Sequence, residues 1–178
     1  MVREIKWRIG DKIEEKVIIE IESQWSIKFP KEYVDIVMAN DSSRPKVKDV
    51  NEEWQTGLID IPGWETISFI FISFMEGEKT KEPMIKFMYD IYKDCFPEPD
   101  KIFPFAEDGG GNLLLLDYRK DEKEPAILFL DHGDAYTEED FAEEDLKKRS
   151  LYELLDENFY RVADSFEEFL DMIYPDKE

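Results

Sequence analysis

Apolar positions first recur with a helical period. From about Asp11 to Trp25, the residues Ile13, Val17, Ile21 and Trp25 stand four apart, which puts them on one face of a helix. Asp11 reads as its N-cap, with Glu14 three residues on as a capping-box partner. Ile27-Lys28-Phe29-Pro30 breaks this helix. Pro30 suits the first position of a second one, where its missing N–H is not needed. The second helix carries Tyr33, Val34, Val37 and Met38 and ends near Asn40-Asp41. Polar residues from Ser42 to Asn51, with Pro45 among them, predict a turn into a short strand at Val47 to Val50. Glu52 to Gly63 reads as an irregular loop with a strand fragment around Trp54, Leu58 and Ile61.

Alternation then takes over. Trp64 to Phe74 puts Ile67, Phe69 and Phe71 on one face and Ile70, Ile72 and Phe74 on the other, the pattern of a strand buried on both sides. Pro83 to Phe96 returns to helical spacing, with Met84, Phe87, Met88, Ile91, Tyr92 and Cys95 on one broad face. Ile102 to Ala106 is a short apolar segment, Leu113 to Tyr118 a strand and Ala126 to Leu130 another, the last two pairing as an antiparallel hairpin. Leu151 to Leu155 is helical, and Phe159 to Val162 is a short strand or a helix end. Ser165 caps the last helix with Glu168 completing its capping box; Phe166, Phe169, Leu170 and Ile173 form its apolar face, and Pro175 stops it. Helices at both termini with strands between them predict an α+β fold, a mostly antiparallel sheet with helices packed on one side. No repeat or low-complexity linker divides residues 1–178, so one domain is expected.

Charge narrows the function classes. The chain holds 44 Asp and Glu against 23 Lys and Arg, a formal net charge of −21. Nucleic-acid binding requires cations to neutralise phosphates, so DNA, RNA and anionic lipid surfaces are unfavourable partners. The same field steers a basic protein toward the chain, although acidic surfaces also serve solubility alone. One cysteine, Cys95, excludes an intrachain disulfide and fits a reducing compartment. The N-terminal Met1-Val2-Arg3-Glu4-Ile5-Lys6-Trp7 contains no secretory apolar run, and the longest apolar stretch, Ile67 to Met75, is too short to span a bilayer. A cytoplasmic location is expected.

The centre of the chain carries a signature. Ile102-Phe103-Pro104-Phe105-Ala106-Glu107-Asp108-Gly109-Gly110-Gly111-Asn112, then Asp117-Tyr118-Arg119, then Pro125 and Phe129-Leu130-Asp131-His132, resembles the central motif of the SUKH superfamily, a group named partly for a fungal cell-wall-synthesis regulator. The opening Ile27-Lys28-Phe29-Pro30 with Tyr33, and the closing Ala163-Asp164-Ser165-Phe166 with Phe169-Leu170, are similar to its terminal motifs. Two departures stand out. Asp41-Ser42-Ser43 replaces the Gly-Gly pair common after the second helix, and 135–157 is longer and more acidic than a typical connection, as an insertion would be. The resemblance implies a compact α+β binder without cofactor. Bacterial members resemble immunity proteins that neutralise polymorphic toxins, and others resemble regulatory interaction modules.

Each candidate site has a plainer counterpart. The loop Glu107 to Asn112 is glycine-rich, but it precedes a strand, lacks a P-loop lysine and carries two carboxylates that repel phosphate. Glycines Gly109, Gly110 and Gly111 supplying positive φ, with Asp108 and Asn112 bonding the loop backbone, is the better reading. Asp131-His132-Gly133-Asp134 could ligate a metal, but His132 is the only histidine and no metal spacing is matched. An enzyme or metal protein built on Asp108, Asp131 and His132 is the reading from a different class. Cys95, on an apolar face, reads as structural. The favoured partner-binding candidates are Glu138, Glu139, Asp140, Glu143, Glu144 and Asp145, with Phe141 and Leu146 as anchors or as buried packing, against the alternative of a solvated face. Tyr136 and Trp54 are further loop aromatics that could be exposed. The expected partner is a cognate basic, nucleic-acid-targeting polymorphic toxin or another basic protein, met by a monomer or weak dimer; the alternative is a regulatory module with a non-toxin partner.

Overall fold

The computed structural model describes residues 4–176; Met1, Val2 and Arg3, part of the N-terminal stretch read above, lie outside the described residues, as do Lys177 and Glu178. The chain forms one antiparallel meander with helices packed against it. Its strands are β1 (Ile5–Trp7), β2 (Pro45–Lys48), β3 (Trp54–Asp60), β4 (Thr66–Phe71), β5 (Ile102–Asp108), β6 (Leu113–Asp117), β7 (Ala126–Leu130), β8 (Phe159–Ala163) and β9 (Tyr174–Pro175). The sheet runs β1 to β8 in sequence order, and β9 pairs with β3. The helices are α1 (Glu15–Trp25), α2 (Lys31–Ala39), α3 (Met84–Tyr92), α4 (Glu143–Lys148), α5 (Leu151–Asp156) and α6 (Phe166–Asp171). The α+β reading therefore holds, with two short strands lying outside the first and last helices.

The core explains why β5, β6 and β7 stand at the centre. All five residues of β6 and of β7 are buried, so both faces of these strands are covered. Between Pro104 and Ala106 the β5–β6 register slips, leaving Phe105 as the extra residue of a bulge. A bulge re-aims its side chain, and the Phe105 ring meets Tyr33 of α2 at 5.8 Å, Phe166 of α6 at 5.7 Å and Phe169 at 5.5 Å. Trp25 of α1 stacks on the neighbouring Phe103 at 4.7 Å. Opening motif, central motif and closing helix thus converge on one aromatic cluster.

Several local expectations are corrected. Asp11 does not cap α1; it forms a bridge with Asp41, and α1 starts at Glu15 behind Glu14, with no side-chain cap. Pro30 is the N-cap of α2 rather than its first helical residue. Residues 54–60, expected to be mostly loop, are a seven-residue strand, and the strand expected at Val47 to Val50 begins at Pro45. On α3 the buried side chain is Ile85, whereas Ile91 is 51% exposed. Pro175 does not stop α6, which ends at Asp171; it pairs with Gly57 in β9. Ser165 does cap α6, accepting from Glu168 N, but the Glu168 carboxylate takes Asp164 N–H instead of closing a box on Ser165.

The Asp41 turn also fixes a backbone contact. Asp41 N–H donates to Asp11 O at 2.8 Å, and a Cβ on Gly10 would lie far inside contact distance of Asp41 O. Gly10→Ala is therefore expected to lower stability by about 1–3 kcal/mol, because a backbone atom must yield. Urea unfolding of the variant checks this.

Candidate functional site

The signature loop is a hydrogen-bonded latch. Asp108 Oδ1 accepts from Gly110 N at 2.7 Å and Asn112 N at 2.9 Å, and its Oδ2 accepts from Asn112 Nδ2 at 2.8 Å. Since Asn112 Nδ2 faces Asp108, its Oδ1 is free to accept from His132, from the backbone N at 2.9 Å and from Nδ1 at 2.8 Å. Nδ1 therefore carries the proton. Asp131 accepts from Gly133 N and from Trp64 Nε1, and Trp64 covers Phe129. Only Gly111 of the three glycines has positive φ, at 88°, so the expectation for Gly109 and Gly110 is corrected. Asp108, Asn112, Asp131 and His132 do lie together, but the Asp108, Asn112 and Asp131 side chains are taken up by backbone N–H groups, by each other, by the His132 ring and by Trp64 Nε1. Among the described residues no group of three or more His, Cys, Asp or Glu side chains is placed to hold a metal ion.

A second node joins the hairpin to the acidic region. Arg119 Nε and Nη2 donate to Asp117, while Nη1 donates to Asp156 at 2.6 Å and Tyr152 OH at 2.9 Å. Burial opposes the guanidinium charge, but the bonds to Asp117 and Asp156 more than offset it and hold the pKa above its ordinary value. Tyr118 OH donates to Lys28 O at 2.7 Å, tying the same hairpin to the α1–α2 connection. None of these cross-connections has a local sequence signal, because the partners lie 33 to 90 positions apart.

The acidic region is ordered. Residues 138–140 form a single helical turn and 143–148 form α4. Glu138, Glu139, Asp140, Glu143, Glu144 and Asp145 are all exposed, and Phe141 and Leu146 are half-buried. Phe141 lies edge-on to Tyr136 at 6.0 Å, and Tyr136 keeps 40% exposure. Asp140 differs from its neighbours, since its carboxylate accepts from Thr137 N and Oγ1. Glu143 has Lys147 one turn on at 3.8 Å. The region is anchored by α5, where Leu154 and Leu155 are buried and Ser150 and Glu153 form a capping box. Glu138 and Glu139 also help to line a cleft with Lys93, Phe96, Leu151 and Tyr152.

Cys95 is buried in a turn after α3, and its Sγ donates to Ala135 O at 3.3 Å. Burial pushes the thiol up to about 11, and burial likewise raises Tyr33 and Tyr118 above the usual phenol value. All three shifts are upward, so the folded chain keeps protons that the unfolded chain releases. Their contribution to stability is complete below the unfolded thiol value and falls as pH rises. Urea midpoints are expected to drop between about pH 8 and pH 11. A midpoint flat over that range would contradict this.

What these elements define is an antiparallel α+β domain whose polar signature residues fasten the scaffold and leave an acidic surface on its rim. The chain belongs to the SMI1 / KNR4 family (SUKH-1), whose model matches residues 12–172. No curated protein matches the chain. Among the described residues no helix is long and apolar enough to cross a membrane.

Proposed function

We propose that this chain is a non-enzymatic, cytoplasmic immunity protein that neutralises a cognate basic toxin by stoichiometric binding. The observation that carries this reading is the rim at 138–145, where exposed carboxylates are held on two short helical elements, with half-buried Phe141 between them and half-buried Leu146 inside the second. Ordered charge of one sign speeds encounter with a complementary surface, and a few apolar anchors slow release. Family membership supports a binding role, and the hydrogen bonds that hold Asp108 and Asn112 within the fold support looking to the rim for a partner surface.

The test is neutralisation. A basic toxin encoded next to this chain is expected to stop growth alone and to be tolerated when co-expressed with it. Reversing Glu138, Glu139, Glu143 and Glu144 to lysine is expected to slow association by roughly tenfold or more at low salt, with the far-UV spectrum unchanged. Full protection by the reversed variant would rule out this rim as the binding surface.

A further inference from the structure

We propose that the outer edge of the sheet, at β1, docks an extended acidic polypeptide segment whose acidic residues alternate with apolar ones. This surface is separate from the acidic rim and stands without the toxin reading.

The edge is open in its backbone. Strand β1 ends the sheet order and pairs only with β2. Arg8 N–H donates to Arg44 O at 3.0 Å. Hydrogen-bonded and non-hydrogen-bonded pairs alternate along an antiparallel ladder. The bonded rungs are therefore Arg8/Arg44 and Lys6/Lys46, and Ile5 and Trp7 turn their N–H and C=O groups away from β2. Among the described residues no backbone partner meets these groups.

The side chains are unusual for so acidic a chain. Lys6 stands opposite Lys46, and Arg8 opposite Arg44, so two successive rungs on one face carry like charges. All four side chains are exposed, and among the described residues none has a carboxylate within 4.0 Å, although Glu107 lies close enough to Arg44 to feel its charge. Lys48, further along, is held by Glu52 at 3.1 Å and Glu4 at 3.8 Å. Trp54 lies beside this face, with Lys6 Nζ 5.6 Å and Lys48 Nζ 5.4 Å from its ring. Like charges directly opposite across strands destabilise a sheet. Lysine on an edge strand guards against unwanted pairing, which accounts for Lys6. It does not account for Arg44 beside β2 or for Lys46 within it. An anionic partner offsets both rungs.

The occupant follows from the period. A strand added to β1 repeats every second residue, about 6.6–6.8 Å apart, in step with Lys6 and Arg8. Its acidic residues stand beside those two cations. Its apolar residues fall on the side of Ile5 and Trp7, where Trp7 already stacks on Phe71 at 4.8 Å. A nucleic acid matches the charge but offers no peptide groups to Ile5 and Trp7.

The experiment titrates the full chain into a labelled peptide of alternating glutamate and valine and reads anisotropy. Physiological ionic strength is used, so that screening over about 8 Å mutes the distant acidic rim. Saturable binding is expected, weakened at least about tenfold by Lys6→Glu with Arg8→Glu. The same loss is expected with unaltered protein when the peptide is N-methylated at the residues facing β1. No saturable binding up to about 1 mM, or binding undiminished by either change, overturns the proposal. It is also overturned by preference for a single-stranded oligonucleotide of equal charge, which gives the edge to nucleic acid. Self-association abolished by the double variant overturns it too, since the occupant is then a second copy.

Discussion

Phe105→Ala is expected to cost about 3–5 kcal/mol of folding stability. The ring is fully buried and touches Tyr33, Phe71, Phe166 and Phe169, so one side chain joins β5 to α2, β4 and α6. Truncation loses the transfer free energy of the ring, opens a cavity among aromatic neighbours that cannot collapse into it, and forfeits several edge-to-face contacts. Phe105→Leu, which refills most of the volume, is expected to lose roughly half as much or less. Urea titration of the three proteins decides the point. A lower midpoint at unchanged slope is the predicted form, and a loss under about 1 kcal/mol for the alanine variant would contradict this account of the core.

Removing Arg119 is expected to be nearly as costly. Its side chain is 13% exposed and that of Asp117 is 5% exposed, so Arg119→Met strands a buried carboxylate with few remaining donors. Breaking such a pair costs about 3 kcal/mol or somewhat more. The partly exposed Asp156, on the α5 side, adds little by itself because water screens it. The same change releases Tyr152 and Asp156, through which α5 holds the acidic region against the sheet. A double variant separates these effects. Asp117→Asn added to Arg119→Met is expected to recover about 1 kcal/mol or more, since the stranded charge is gone. No recovery would show that the cost lies in the α5 anchor and not in the buried charge.

Much of this architecture is legible in the sequence where one face is strongly apolar. The hairpin of β6 and β7 and the helices α2 and α6 follow from their apolar periods, with the Ser165 cap as a further signal for α6. The strand β3 was hidden because Gly57 interrupts its alternation. The reason for that glycine is tertiary, since a Cβ there would meet Ile173 and Pro45. The short strands β1 and β9 are too brief to show a period, and each exists only through its partner strand. Asp11 looked like a cap because its pairing with Asp41 depends on a turn thirty residues away. On α3 the expected Met84, Met88 and Tyr92 do pack on the core, but Ile91 satisfies helical spacing and faces solvent, while Ile85 takes the buried position.

The site was readable in a different measure. Asp108 and Asn112 were expected to bond their own loop, and they do. The reach of Asn112 to His132 and of Arg119 to α5 depends on the sheet bringing distant residues together, which no local pattern encodes. The acidic run is plain in the sequence as a run. That it is ordered, with Asp140 engaged in its own turn and Phe141 resting on Tyr136, required the fold.

The proposed role requires that the exposed acidic rim at 138–145 capture a basic toxin. The most direct measurement is a pull-down from the source cells at low and at physiological salt. The native chain and the variant with lysine at 138, 139, 143 and 144 are compared, and captured polypeptides are identified by mass spectrometry. The account predicts capture of a basic, growth-inhibiting polypeptide by the native chain, weaker at the higher salt and lost with the variant. Capture only of partners without toxicity, or equal capture by both proteins at both salts, would contradict it.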